Sequence, residues 1–181
     1  MNSITQKFEL HYYLKDNSHA MNAFVRNKAE KDFLEAVKRI GDLLDSELKI
    51  ETEAYQEGGL IEILAIVLPT LHYLSPALND IITHYATRDT QAETLDKKIK
   101  EATLQNLELD NQQKTLGIEE QIEKKLNDKL VQKYISNFYK KIDSYEKVEK
   151  IGYRNLEENS LEYIVEKKDF KNFILEDGKY I

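Results

Sequence analysis

The sequence predicts an α+β fold, and three observations carry that expectation. Residues 8–14 alternate apolar and polar side chains with period two, and residues 21–44 carry an apolar stripe at spacings of three and four. After residue 147 strand-like segments return, 147–156 and 161–166, around the turn-like Glu157-Glu158-Asn159-Ser160.

In the first strand Phe8, Leu10, Tyr12 and Leu14 fall on one side, with Glu9, His11 and Tyr13 on the other. Lys15-Asp16-Asn17-Ser18 has loop chemistry, and Asn17 or Ser18 is the expected cap of the next helix. Met21, Val25, Ala29, Phe33, Ala36, Val37, Ile40 and Leu44 then form one face of an amphipathic helix. A second strand places Leu48, Ile50, Thr52 and Ala54 opposite Lys49, Glu51, Glu53 and Tyr55. Strand, helix and strand in that order predict a right-handed βαβ unit with parallel strands.

The stretch LIEILAIVLPTLHYLSPALNDII, residues 60–82, is the most apolar. A membrane span needs about 20 mostly apolar residues, and here Glu62, His72, Pro69 and Pro76 interrupt. The expectation is a pair of short buried helices, 60–74 and 76–88, the second opened by Ser75-Pro76. Peripheral membrane contact through 60–82 is the alternative.

From about residue 90 the composition turns to Glu, Lys, Gln and Leu. Leu95, Ile99, Ala102, Asn106, Leu109, Gln113 and Leu116 recur at heptad spacing. A second stripe runs from Ile118 through Ile122, Leu126, Leu130, Tyr134 (or Val131), Ile135, Phe138 and Ile142 to Tyr145. Together they predict a long antiparallel, coiled-coil-like helical hairpin that turns near Leu116-Gly117. A β-hairpin, 147–156 paired with 161–166, follows and joins a small sheet. Asp169 is then expected to cap a last short helix with Phe170, Phe173 and Ile174. The expected organisation is one globular unit built from residues 1–88, 89–146 and 147–181.

The composition narrows the function classes. Zero Cys excludes disulfides, thiolate metal sites and cysteine catalysis. The start MNSITQKFEL has no basic-then-apolar leader pattern, and a cytoplasmic location is expected. A net charge of −7 argues against nucleic acid as the partner. The Lys124–Lys141 cluster with Tyr134, Phe138 and Tyr139 is the one stretch that speaks for it. Of 26 cations only Arg26, Arg39, Arg88 and Arg154 are arginines, a bias that fits an AT-rich bacterial or phage genome.

Two groups carry candidate chemistry. His11 with Glu51 and Glu53, on one sheet face if the first two strands are neighbours, could share acid–base work or hold a divalent metal, with Asp16 and His19 nearby. Arg26, Asn27 and Glu30 on the first helix could present a guanidinium and an amide to an anion. The plain alternatives are a solvated sheet face and an i,i+4 pair. Glu57-Gly58-Gly59 is expected to be a tight strand-to-helix turn, the alternative being an approach of its backbone amides to an anion, and His72 and His84 are expected on apolar helices. No fixed-spacing metal motif is present, so no metal or cofactor is assigned outside the enzymatic reading.

The function expected from these features is a non-enzymatic protein–protein interaction or assembly module. Its contacts would be the seam of Leu95, Ile99, Ala102, Asn106 and Leu109, with a partner protein or a second copy as the occupant. The competing expectations are a metal-dependent phosphodiesterase- or nuclease-like or nucleotide-binding domain at His11, Glu51 and Glu53, and a membrane-surface module.

Overall fold

Alternation with β-branched and aromatic side chains makes Ile4–Leu14 a strand, β1, and its apolar members Phe8, Leu10 and Tyr12 are almost wholly buried. In the computed structural model, residues 4–44, 47–53, 60–68, 78–88, 124–156 and 161–176 are described. Their elements follow as α1 (Ala23–Leu43), β2 (Lys49–Glu53), β3 (Leu60–Leu68), α2 (Leu78–Thr87), α3 (Lys129–Asp143), β4 (Val148–Asn155) and β5 (Tyr163–Glu166). A 3₁₀ turn, Lys167–Asn172, comes last. The fold is α+β, with a five-stranded sheet ordered β2-β3-β1-β4-β5 and antiparallel at every pairing.

Two sequence expectations are overturned here. Residues 60–68 form a strand, not the first of two helices, and that strand lies between β1 and β2. The first two strands do run parallel, because each is antiparallel to β3, but they are not neighbours. The physical reason lies in LIEILAIVL. Leu60, Leu64 and Ile66 are buried on one face and Ile63 and Ala65 on the other, so the segment has no alternation to display. A strand covered on both faces reads as an unbroken apolar run, which periodicity cannot tell from a buried helix. The second helix of the expected pair is α2, and residues 69–77, including Ser75-Pro76, lie outside the described residues.

The helices pack on the face that carries Phe8, Leu10 and Tyr12. Phe33 of α1 stands between Phe8 (ring centroids 6.2 Å), Phe138 of α3 (5.4 Å) and Tyr153 of β4 (6.0 Å). The cap of α1 is Asn22 rather than Asn17 or Ser18, its Oδ1 accepting from the amides of Phe24 and Val25. The helix begins later than the apolar stripe suggests, and the loop before it ends on a side chain suited to capping.

The expected long helical hairpin falls only in part within the described residues. Its first arm and turn lie outside the described residues. Its second arm is interrupted at Asn127-Asp128, where Asp128 caps α3 by accepting from the amides of Leu130 and Val131. The same carboxylate receives Nε and a terminal nitrogen of Arg39 at 3.3 and 2.9 Å, which ties α3 to α1. The apolar stripe of α3 passes through the fully buried Val131, while Leu130 is exposed.

At the C-terminus β4 and β5 pair with each other, and β4 pairs with β1, so chain from both ends shares one sheet. The 3₁₀ turn starts at Lys167 with no side-chain cap, and Asp169 sits in its first turn instead of opening it. Its Phe170, together with Phe173, packs against Tyr139.

Tyr139 joins these layers. Its hydroxyl donates to the carbonyl of Ala86 at 2.5 Å and lies 2.8 Å from that of Tyr153, both tyrosines being fully buried. Removing one partner from a buried pair leaves the other desolvated and unpaired. Tyr139→Phe is therefore expected to cost about 1–3 kcal/mol, and Tyr153→Phe less, in urea denaturation. Equal costs for the two variants would exclude a network centred on Tyr139.

Candidate functional site on the outer sheet face

The polar half of the β1 alternation defines the opposite face of the sheet. Register places Glu9, His11 and Tyr13 opposite Arg154, Gly152 and Lys150 of β4. Ile164 of β5 lies opposite Gly152, and Glu162 lies two residues before Ile164, on the same side. One row across the sheet thus reads Ile61, His11, Gly152, Ile164.

Gly152 leaves its place in that row empty, and the carboxylate of Glu162 occupies it. A β-carbon at residue 152 would stand 1.9 Å from Glu162 Oε1. Seated there, Glu162 accepts a hydrogen bond from the Tyr13 hydroxyl at Oε2 (2.7 Å), while its Oε1 faces His11 Nδ1 at 3.4 Å. The His11 ring stacks on Tyr13 with centroids 3.8 Å apart, and the ammonium of Lys150 lies 4.6 Å from the Tyr13 ring centre. Arg154 donates to Glu9 Oε2 at 2.8 Å, holding a carboxylate that is itself buried.

Two carboxylates, one guanidinium, one ammonium and one imidazole thus share a small area. Burial lowers the pKa of His11 below its ordinary value, against the opposing pull of Glu162 and Glu9. Burial, then the bond to Glu162, raises that of Tyr13 far above the usual phenol. Two polar atoms here are closed to solvent without a hydrogen bond in the structure, Glu162 Oε1 and Arg154 Nε.

The residues picked from sequence are divided by this arrangement. Glu51 and Glu53 do share the face of His11, but β3 intervenes, which puts β2 about 10 Å from β1. Both carboxylates are exposed and bound to lysines, Glu51 to Lys49 and Glu53 to Lys7 (2.8 Å). Neither meets His11. Asp16 pairs with Lys147 at 2.6 Å at the end of β1, and His19 is exposed in the loop. Glu162, Arg154, Lys150 and Gly152 were not anticipated as partners of His11. The available signals were a glycine inside a strand pattern and one of only four arginines two residues after it.

Arg26, Asn27 and Glu30 lie on the helix-covered side. Arg26 binds Glu30 at 2.5 Å and approaches Glu62 Oε2 at 3.9 Å, so its charge serves internal carboxylates. Asn27 and Glu30 stand in the wall of an open groove of about 400 Å³ between α1 and β2, with Lys31, Leu34, Lys38 and Ile50. Of the aromatics in the basic cluster, Phe138 and Tyr139 are fully buried while Tyr134 is partly buried, and Lys141 binds Asp32. His84 faces the carbonyl of Leu126 at 3.3 Å. Among the described residues no helix is long and apolar enough to cross a membrane, and Leu60, Leu64, Ile66, Leu78, Ile81 and Ile82 are buried in the core.

Glu62 generates a pH dependence. Its side chain is 7% exposed on the core face of β3, and its Oε2 accepts no hydrogen bond. Burial, with the adjacent Glu30 carboxyl adding to it, raises its pKa from 4.5 to about 8 against the pull of Arg26. Between these values the folded chain holds a proton that the unfolded chain has lost. The contribution of Glu62 to stability is then fullest below pH 4.5 and is lost as pH rises toward 8, with a limiting slope of about 1.4 kcal/mol per pH unit. Glu62→Gln is expected to flatten that fall in denaturant titrations at pH 5 to 9, and an unchanged slope would sink the assignment.

Comparison with known protein families, with curated proteins and with solved structures finds no match, so the meaning of this face rests on its own geometry.

Proposed function

We propose that the protein is an interaction module that works by self-association, with the outer face over β1, β4 and β5 as its contact surface. One observation carries this reading. Of the four large apolar side chains exposed among the described residues, Ile164 (41%) lies on the side of Glu162, in the row of His11 and Gly152, and Leu161 (87%) directly precedes Glu162 in the chain. Interfaces favour this mixture of exposed aliphatic, Tyr and Arg side chains.

The polar groups are already held in place by one another, Glu162 by Tyr13 and Arg154 by Glu9, which lowers the ordering cost of contact. The patch carries both signs of charge, so two copies related by a twofold axis can set Arg154 or Lys150 of one against Glu162 of the other. The β5 strand lies at the sheet edge, and its four-residue length limits backbone pairing there, which leaves the side chains of the face to carry the contact. The heptad seam of Leu95, Ile99, Ala102, Asn106 and Leu109 lies outside the described residues and belongs to the same reading as a second contact element.

The enzymatic alternative at His11, Glu51 and Glu53 gains no support, because the three residues stand apart. Membrane contact through 60–82 gains none either, because much of the apolar surface of that stretch is spent inside the fold.

Light scattering on the full chain at high micromolar concentration is expected to give a dimer mass. Leu161→Asp combined with Ile164→Asp is expected to return it to monomer with unchanged circular dichroism. A strictly monomeric parent protein would refute the proposal.

A further inference from the structure

We propose that Glu9, His11 and Glu162 form a binding site for one divalent cation of the zinc or cobalt class on the outer sheet face. Each residue offers one ligand atom, and the three atoms lie within 4.8 Å of one another. An imidazole with two carboxylates suits a borderline metal ion, which accepts nitrogen and oxygen together.

The spacing of His11 and Glu162 inside the cluster fits a shared ion. His11 Nδ1 and Glu162 Oε1 are 3.4 Å apart, beyond the usual ~2.7–3.2 Å of an N–H···O bond. Two donors bound to one tetrahedral ion at about 2.1 Å stand about 3.4 Å apart. Glu162 Oε1 is also the oxygen that is closed to solvent and accepts no hydrogen bond.

The surroundings orient these ligands as the supporting shell of a metal site does. The Tyr13 hydroxyl binds the other oxygen of Glu162, Oε2, and turns Oε1 toward His11. Arg154 binds one oxygen of Glu9 and leaves the second for an ion. Gly152 provides the floor, since any side chain there would displace Glu162 Oε1 from its position beside His11. Three protein donors leave at least one coordination position open to water or to an acidic group of a ligand.

The ligands come from the central strand and from the chain entering β5, so the ion would clasp the C-terminal hairpin onto β1. The inference does not depend on self-association. Cobalt binding by a monomer would leave it intact and refute only the interface, and a dimer that binds no cobalt would do the reverse.

Co²⁺ titration of the full-length chain, followed by visible absorption, is expected to show one equivalent bound with bands of a nitrogen–oxygen site. His11→Ala and the near-isosteric Glu162→Gln are each expected to weaken binding at least tenfold, while His19→Ala retains it. Saturating Zn²⁺ is expected to raise the melting temperature of the parent chain and of His19→Ala, but not of His11→Ala. No saturable binding at millimolar Co²⁺, or binding unchanged in both His11→Ala and Glu162→Gln, would overturn the assignment.

Discussion

β1 is paired along both edges, with β3 on one side and β4 on the other, and every other feature of the molecule depends on that placement. A strand fixed on both edges cannot slide or turn over without breaking two ladders. Its period-two alternation therefore sorts the whole protein into two sides. Phe8, Leu10 and Tyr12 meet α1 and the Phe33 cluster, while Glu9, His11 and Tyr13 are delivered to the other face. A slip of one residue would bury a carboxylate and an imidazole and expose two of the largest core aromatics.

The parts of the fold legible from sequence were those with one wet face. β1 and α1 each show an apolar side and a polar side, and their periods are visible in the residue order. β3 is the counterexample, because burial on both faces erases the pattern that marks a strand. Misreading it had a second effect. With β3 taken for a helix, β1 and β2 become neighbours, and Glu51 and Glu53 seem to face His11. The shared face was legible in the alternation, and the intervening strand was not. The actual neighbours of His11 lie on β4 and before β5, and Tyr13 and Glu162 are 149 residues apart. No local pattern encodes such a pairing, although the interior glycine of β4 was a visible irregularity.

The two faces also differ in how polar groups are accommodated. On the helix-covered side Tyr139, Tyr153, Asn79 and Asn155 are buried and bonded to one another or to backbone. Not every atom there is bonded: Asn79 Oδ1 has no partner, nor has one oxygen of Glu62, a carboxyl under α1, nor the hydroxyl of the nearby Tyr12. Arg26, one of four arginines, stands against this group. Its choice over lysine thus has a structural account: a planar guanidinium can serve Glu30 and Glu62 at once.

Gly152 connects the fold to the outer site. A glycine within a strand costs backbone entropy and contributes no side chain to packing. Here the missing side chain is what admits the Glu162 carboxylate to the row between His11 and Ile164. Alanine at residue 152 would favour the strand and expel the carboxylate, so the local preference and the outer cluster pull in opposite directions. The contact of Glu162 with Gly152 is internal to the β4–β5 pair, and pairing of β4 with β1 brings His11 and Tyr13 to that carboxylate. Hairpin docking and completion of the cluster are therefore one event, and whatever the outer face binds is read only by the fully assembled sheet.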